Sequence, residues 1–343
     1  MTDASVVAQV PATKAELERS TILLLADPSP ALRLRVLIEL LGVPADDAEA
    51  KDLAVRRARM PIVAELLAFG PSQSPFDLAW RLCRLAHLGL GRDEPGVAAI
   101  AERLLALQSR DGTWALRSFR PAARDSVYSM IPLQTSLPLR GLAAVGYAAD
   151  PRVERAYDWL VDRRLDDGAW PLGTASGQPG YIAGYRKLPG SKGCRVNTQA
   201  AIAALVLHPE RRTSDATRQA LDLLLQRETR EEWAFGSEIA RLAGAEPATG
   251  FVTFYARFDL AFVLELASRA GASVDEPRVA DLVAFIDALR SNGGHWDHPT
   301  HPELNRWLTF DLLSSLRRLA GGTWIGTAPR VPFRAYPIHR GRL

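Results

Sequence analysis

The stretch QSRDGTW at residues 108–114 sets the reading of the whole chain, because its spacing returns three times. Arg164 precedes Trp170 by six residues in RLDDGAW, Arg227 precedes Trp233, and Arg290 precedes Trp296 in RSNGGHW. The tryptophans stand 56, 63 and 63 residues apart. Each pair closes an amphipathic helical pattern and leads into a more apolar one. A period of this length with a helix on either side of the marker predicts stacked helix pairs.

Outward from the markers, the helix starts repeat as well. DEPGVAAI (93–100), DPRVERAYDWL (150–160), SDATRQALDLLL (214–225) and DEPRVADLVAFI (275–286) each place Asp or Ser at an N-cap, and three place Pro in the first turn. Their charged outer faces mark outer helices. Two earlier segments, 12–26 and 46–68, complete that set. Six Ala- and Leu-rich segments alternate with them: 30–42, 75–89, 132–146, 195–208, 255–271 and 306–320. These are the expected inner helices. The long connections 110–131 and 171–194 favour closure of the array, since loops of that length shape sites more often than they join elements. The expected fold is all-α, an (α/α)6 barrel over residues 1–322, with a basic tail at 323–343 carrying Arg330, Arg334, Arg340 and Arg342.

Composition bounds the function. The chain has 343 residues, 47% apolar and 24% charged, with a net charge of only +3, so no general affinity for nucleic acid is implied. Two cysteines exclude a disulfide framework and fit a reducing, cytoplasmic setting. No apolar run is long enough to span a membrane, while peripheral contact with one stays open. Oligomeric state is not legible.

At the markers the sequence resembles the terpenoid cyclase and protein prenyltransferase superfamily, whose squalene cyclases carry Gln, three residues, Gly, one residue, Trp. Gln108, Gly112 and Trp114 match in full; the markers ending at Trp170 and Trp296 have Arg for Gln; the one ending at Trp233 keeps only spacing and Trp. The resemblance covers roughly residues 90–320 and implies an α/α toroid with structural tryptophans. The acidic runs of the known reactions, Asp-x-Asp-Asp and Asp-Asp-x-x-Asp, are absent.

Chemistry is therefore sought on the inner helices. Asp77, Gln134, Asn197, Asp259 and Asp311 recur at an early helix position and could cap their helices or ring a cavity mouth. Asp259, flanked by Tyr255 and Arg257, is the leading general acid, with Asp77 and Asp311 beside it. Phe76, Trp80, Tyr255, Phe258, Phe262 and Trp307 are the expected aromatic wall for an apolar isoprenoid or polycyclic substrate, where they would stabilise cationic charge. Arg186, Lys187, Lys192 and Arg195 form a basic cluster suited to an anion, with Cys194 adjoining. His295, His298 and His301 with Cys194 could hold zinc, although a polar loop explains the histidines as well. Otherwise no cofactor is expected. Cys83 and His87, four apart, read as core. The leading expectation is acid-assisted cyclisation or isomerisation. The alternatives are a non-catalytic binding or scaffold toroid and a metal- or thiol-dependent transferase.

Overall fold

Proline and a capping side chain open the helices where the sequence places them. The computed structural model describes residues 14–68, 74–114, 132–171, 188, 191–226, 233–247 and 258–329. It is mostly helical. The helices in order are α1 (Lys14–Leu25), α2 (Pro30–Arg35), α3 (Ala48–Ala58), α4 (Pro61–Leu67), α5 (Pro75–His87), α6 (Pro95–Ala106), α7 (Pro132–Ala144), α8 (Pro151–Asp162), α9 (Arg195–Leu205), α10 (Asp215–Leu225), α11 (Ser237–Ala243), α12 (Leu260–Arg269), α13 (Pro277–Ala288) and α14 (Asn305–Ala320). Ser29, Ser74, Asp150 and Ser214 each accept a backbone N–H of the first turn that would otherwise lack a partner. Helix α2 widens into a π-helical turn at Val36–Leu40.

Three boundaries differ from the sequence reading. The segment expected as one helix over 46–68 is two, since Pro61 lacks the N–H that would continue α3 and instead opens α4. The helix expected from 255 starts at Leu260, because Phe258–Asp259 pairs in parallel with Trp233–Ala234 as a two-stranded ribbon. Helix α11 was not expected at all. Of the tail, residues 323–329 lie against the helices: Asp222 accepts from Thr327 and Ala328, and Ser273 donates to the Trp324 carbonyl. Arg330, Arg334, Arg340 and Arg342 lie outside the described residues.

The markers lock each outer helix to elements later in the chain or, at the last marker, to the first helix. The indole N–H of Trp114, Trp170 and Trp296 donates to the carbonyl ten residues back, on Leu104, Leu160 and Ile286, at 2.7–2.8 Å. All three rings are fully buried. The backbone N–H of Trp170 and Trp296 donates to Thr198 on α9 and Thr309 on α14. Gln108 donates to the carbonyls of Gly112 and of Arg152 on α8, both at 2.9 Å. Where Arg replaces Gln it does similar work: Arg164 reaches Gln219 on α10, and Arg290 reaches the Gly294 carbonyl and Ser20 on α1. Gly112 has φ +92, and a Cβ there would lie 2.9 Å from the backbone of Arg155, so both conformation and space require glycine.

The expected inner helices pack on one another in sequence order, α5 on α7, α7 on α9, α12 on α14, and α14 on the π turn after α2. Helices α3, α6, α8, α10 and α13 each pack against a sequence neighbour in that inner set. Helices α5 and α7 approach closely, since a Cβ on Gly141 would lie 2.6 Å from the Ala79 carbonyl oxygen. Gly141→Ala should therefore destabilise the protein by about 1–3 kcal/mol through overpacking, read as a fall in the urea midpoint with an unchanged slope.

Candidate functional site

One cavity of about 290 Å³ receives side chains from all six expected inner helices. Arg35 and Glu39 come from the α2 end, Cys83 and His87 from α5, and Arg140 and Ala144 from α7. Ala203, Val206 and Leu207 belong to α9 and its C-terminal turn, Phe262, Glu265, Leu266 and Arg269 lie on α12, and Asp311 on α14. Its lining is mixed: α9 and its C-terminal turn contribute only aliphatic side chains, while the charged ones come from α2, α7, α12 and α14.

Local geometry fixes the charged groups in pairs. Arg35 grips Glu39 one turn along through Nε and Nη2, at 2.6 and 3.0 Å, and its Nη1 donates to the His87 carbonyl. Arg269 Nε donates to Glu265 Oε1 at 2.8 Å, again an i, i+4 pair. Arg140 meets Glu238 of α11 at 2.6 Å, both side chains more than nine-tenths buried. Burial pushes Glu238 above the usual carboxylate range, and Arg140 and Arg241 hold it back.

Asp311 differs from these carboxylates. It has no ion-pair or hydrogen-bond partner among the described residues. Burial raises its carboxyl to about 7; Arg35 and Arg318 oppose that shift, while Glu265 and Glu39 reinforce it. Glu265 goes the opposite way, because Arg269, Arg318 and Arg140 outweigh its own burial. One of two neighbouring acids is thus held as the anion and the other is held as the acid, the separation that acid–base chemistry uses. His87 is stacked on Trp307 with ring centroids 4.4 Å apart, and burial, then Arg35, lowers it to about 3, so it is neutral. Burial takes the Cys83 thiol up to about 12, so it is no thiolate.

The five polar positions of the expected mouth separate in the structure. Asp77 pairs with its cap residue Ser74 at 2.7 Å in the first turn of α5. Gln134 is fully buried in α7, and neither its amide nitrogen nor its oxygen has a hydrogen-bond partner among the described residues. Asn197 donates to the Pro171 carbonyl at 2.7 Å. Asp259 caps α12 and accepts from the backbone N–H of Gly236, Glu238 and Ala261, so its oxygens are engaged with the chain; burial raises it and those bonds lower it. Of the five, Asp311 lines the cavity.

The expected mouth at the N-terminal helix ends is corrected in the same way. Five of the six helices line the cavity with their C-terminal portions. The interior nearer their N-termini takes in α11, buried on every side, anchored at Asp259, and capped at its C-terminus by Arg84, which donates to the Leu242 and Ala243 carbonyls. Leu242 forms part of the cavity wall.

Of the five expected wall rings among the described residues, Phe262 lines the cavity, and the Arg140 guanidinium stands 4.9 Å over it. Trp307 lies behind His87, Phe76 and Trp80 are half-buried on α5, and Phe258 sits in the ribbon with Arg195 over its ring at 5.9 Å. Tyr255, Arg257, Arg186 and Lys187 lie outside the described residues. Lys192 is exposed in the turn before α9 and its backbone N–H donates to Asp167, while Arg195 is buried.

The loop histidines have structural partners. His298 Nδ1 accepts from the backbone N–H of Thr300 and His301, and its Nε2 pairs with the Gly236 carbonyl at 3.0 Å. His208 does the same with Glu210, Arg211 and Glu154. Both sit in a His-Pro dipeptide, whose turn aims the next N–H groups at the ring; that dipeptide was the available sequence signal. His295 pairs with Asp297, and His301 with Glu303. Cys194 is buried at the start of α9. Among the described residues no three His, Cys, Asp or Glu side chains converge as metal ligands. Among them, too, no helix is long and apolar enough to cross a membrane.

No family model matches the chain. Over 92 residues it is 31% identical to a probable squalene–hopene cyclase of Sinorhizobium fredii, a match covering 26% of this chain and 14% of that protein. Two solved structures of a substituted type II terpene cyclase, MstE from Scytonema, in complex with geranylgeranyl dihydroxybenzoate, align at 16% and 15% identity over 78% and 90% of this chain and 97% and 99% of theirs. Their TM-scores are 0.32 and 0.31, at which the likeness carries no argument. Over that 92-residue span the chain is similar to a squalene–hopene cyclase, of which it covers a small part.

Proposed function

We propose that the chain is an enzyme that closes as an (α/α)6 toroid and carries out acid-assisted isomerisation or cyclisation of an isoprenoid-type substrate in its central cavity. The observation that supports this best is Asp311, a half-buried acid, raised to about 7, that lines a cavity to which all six expected inner helices contribute. Closure is supported by the docking of the Arg290–Trp296 marker on α1.

Asp311 gives its proton to an alkene carbon: its O–H bond breaks, and the π electrons form the new C–H bond. The resulting cation rearranges or closes a ring through a second alkene. The Asp311 carboxylate then takes a proton from the carbon next to the cation, restoring the acid and a C=C bond. The step needs no oxidant or reductant. Glu39 and Glu265, both ionised, supply the negative field that the aromatic wall was expected to supply.

The test is turnover of a panel of linear polyprenyl substrates in deuterium oxide, with products read by mass spectrometry. Product isomers carrying one deuterium at carbon are expected. Isomers formed without deuterium, or no conversion across the panel, would overturn the acid mechanism.

A further inference from the structure

The cavity's charges do not cancel. Arg35, Arg140 and Arg269 each have a carboxylate partner, in Glu39, Glu238 and Glu265. Arg318, one turn beyond Ser314 on α14, has none among the described residues. Its Nε and Nη2 donate to the hydroxyls of Ser268 and Ser315. Asp311, the remaining acid, is uncharged below neutrality. One positive charge is therefore left over in this half-buried cluster. Burial, then the neighbouring Arg269, depresses Arg318 to about 10, against the pull of Glu265, Asp311 and Glu39.

Arg269 is the point of contact. It lines the cavity and gives only its Nε to Glu265, so its Nη groups have no hydrogen-bond partner among the described residues. The same cavity is lined by the aliphatic side chains of Ala144, Ala203, Val206, Leu207 and Leu242. We propose that the cavity binds a compact amphiphilic monocarboxylate, its carboxylate on the Nη groups of Arg269 in the field of Arg318, and its apolar body on these aliphatic side chains. A single negative charge matches the surplus, and the planar carboxylate suits a guanidinium fork. This deepens the cavity reading above by naming the class of ligand, and its test reads binding without turnover.

The same arrangement makes binding sensitive to pH. The groups facing Asp311 are Arg35 and Glu39 from the α2 end, Glu265 from α12 and Arg318 from α14, with neutral His87 on α5. When Asp311 ionises, the surplus disappears, and so does the preference for an anion.

Isothermal titration of the full chain with decanoate and with decan-1-ol, between pH 5.5 and 8.5, tests this. Decanoate should bind at least about tenfold more tightly than the alcohol at the acid end, as one charge-assisted contact implies. Its affinity should fall as pH rises through neutrality. Arg269→Gln should lose that advantage at every pH, while Arg269→Lys keeps part of it. Asp311→Asn should bind decanoate with a flat profile, because its charge count no longer changes. Equal binding of acid and alcohol, or an Arg269→Gln protein that binds decanoate as the parent does while melting normally, would overturn the subsite. Decanoate binding with no turnover of any polyprenyl substrate would leave the subsite standing and sink the enzyme reading instead.

Discussion

Asp311→Asn lowers turnover by about 10²–10⁴-fold, the span expected when a positioned general acid is removed, and leaves the protein folded. Half-buried beside ionised Glu265 and Glu39, and with no hydrogen-bond partner among the described residues, the carboxyl keeps its proton up to about pH 7. The parent enzyme should therefore work on the acid side and lose activity as pH rises through about 7. Stability gives an independent readout. Between an ordinary carboxyl value near ~4 and the folded value, the native state keeps a proton that the unfolded chain has released. Stability from this group therefore falls as pH rises through that window. Asparagine has no proton to lose. The melting temperature of Asp311→Asn should thus gain on the parent between pH 5 and pH 8. A variant that loses activity but shows no such gain would place Asp311 outside the ionisable cluster.

The fold was legible because its signals are local. An N-cap at Ser74, Asp150 or Ser214 and a proline in the first turn are read from neighbouring residues, and the tryptophan spacing extends those signals into a repeat. The site was only partly legible, and Asp311 and Phe262 are the two expected residues that reach the cavity. Arg35, Glu39, Arg140, Glu265 and Arg269 were missed because a charge on an amphipathic helix reads as its wet face. Here those faces turn toward one another across a shared interior, and nothing within a single helix says so. Two residues did carry a signal. Glu265 interrupts the apolar run LAFVLELA, and Arg140 is the one charge in an otherwise uncharged α7. A charge set where helical periodicity demands an apolar residue asks for a buried partner. Helix α11 escaped for another reason. It is only seven residues long, and its ties to Arg84, Arg140 and Asp259 come from distant parts of the chain.

Truncating a marker tryptophan should have the largest effect on stability, and its size should depend on which marker is cut. Trp296→Ala is expected to cost about 3–5 kcal/mol. It empties a fully buried site, removes the bond to the Ile286 carbonyl, and takes away the ring over which Arg290 stands at 4.8 Å on its way to α1. Trp170→Ala should cost the same for the first two of those reasons. Trp233 is different. Its ring is half-buried, meets Phe285 edge-on at 5.4 Å, and its buried indole N–H has no partner among the described residues. Phenylalanine separates the cases cleanly. Trp296→Phe leaves the Ile286 carbonyl without its donor and should lose about 1–3 kcal/mol, whereas Trp233→Phe removes a donor that has no partner among the described residues and should be close to neutral. Chemical denaturation of the four single variants reads both contrasts. Equal losses at 233 and 296 would mean that the marker acts through ring volume alone. A loss confined to 296 would show that the indole-to-carbonyl bond is what ties each outer helix to the loop at its C-terminal end.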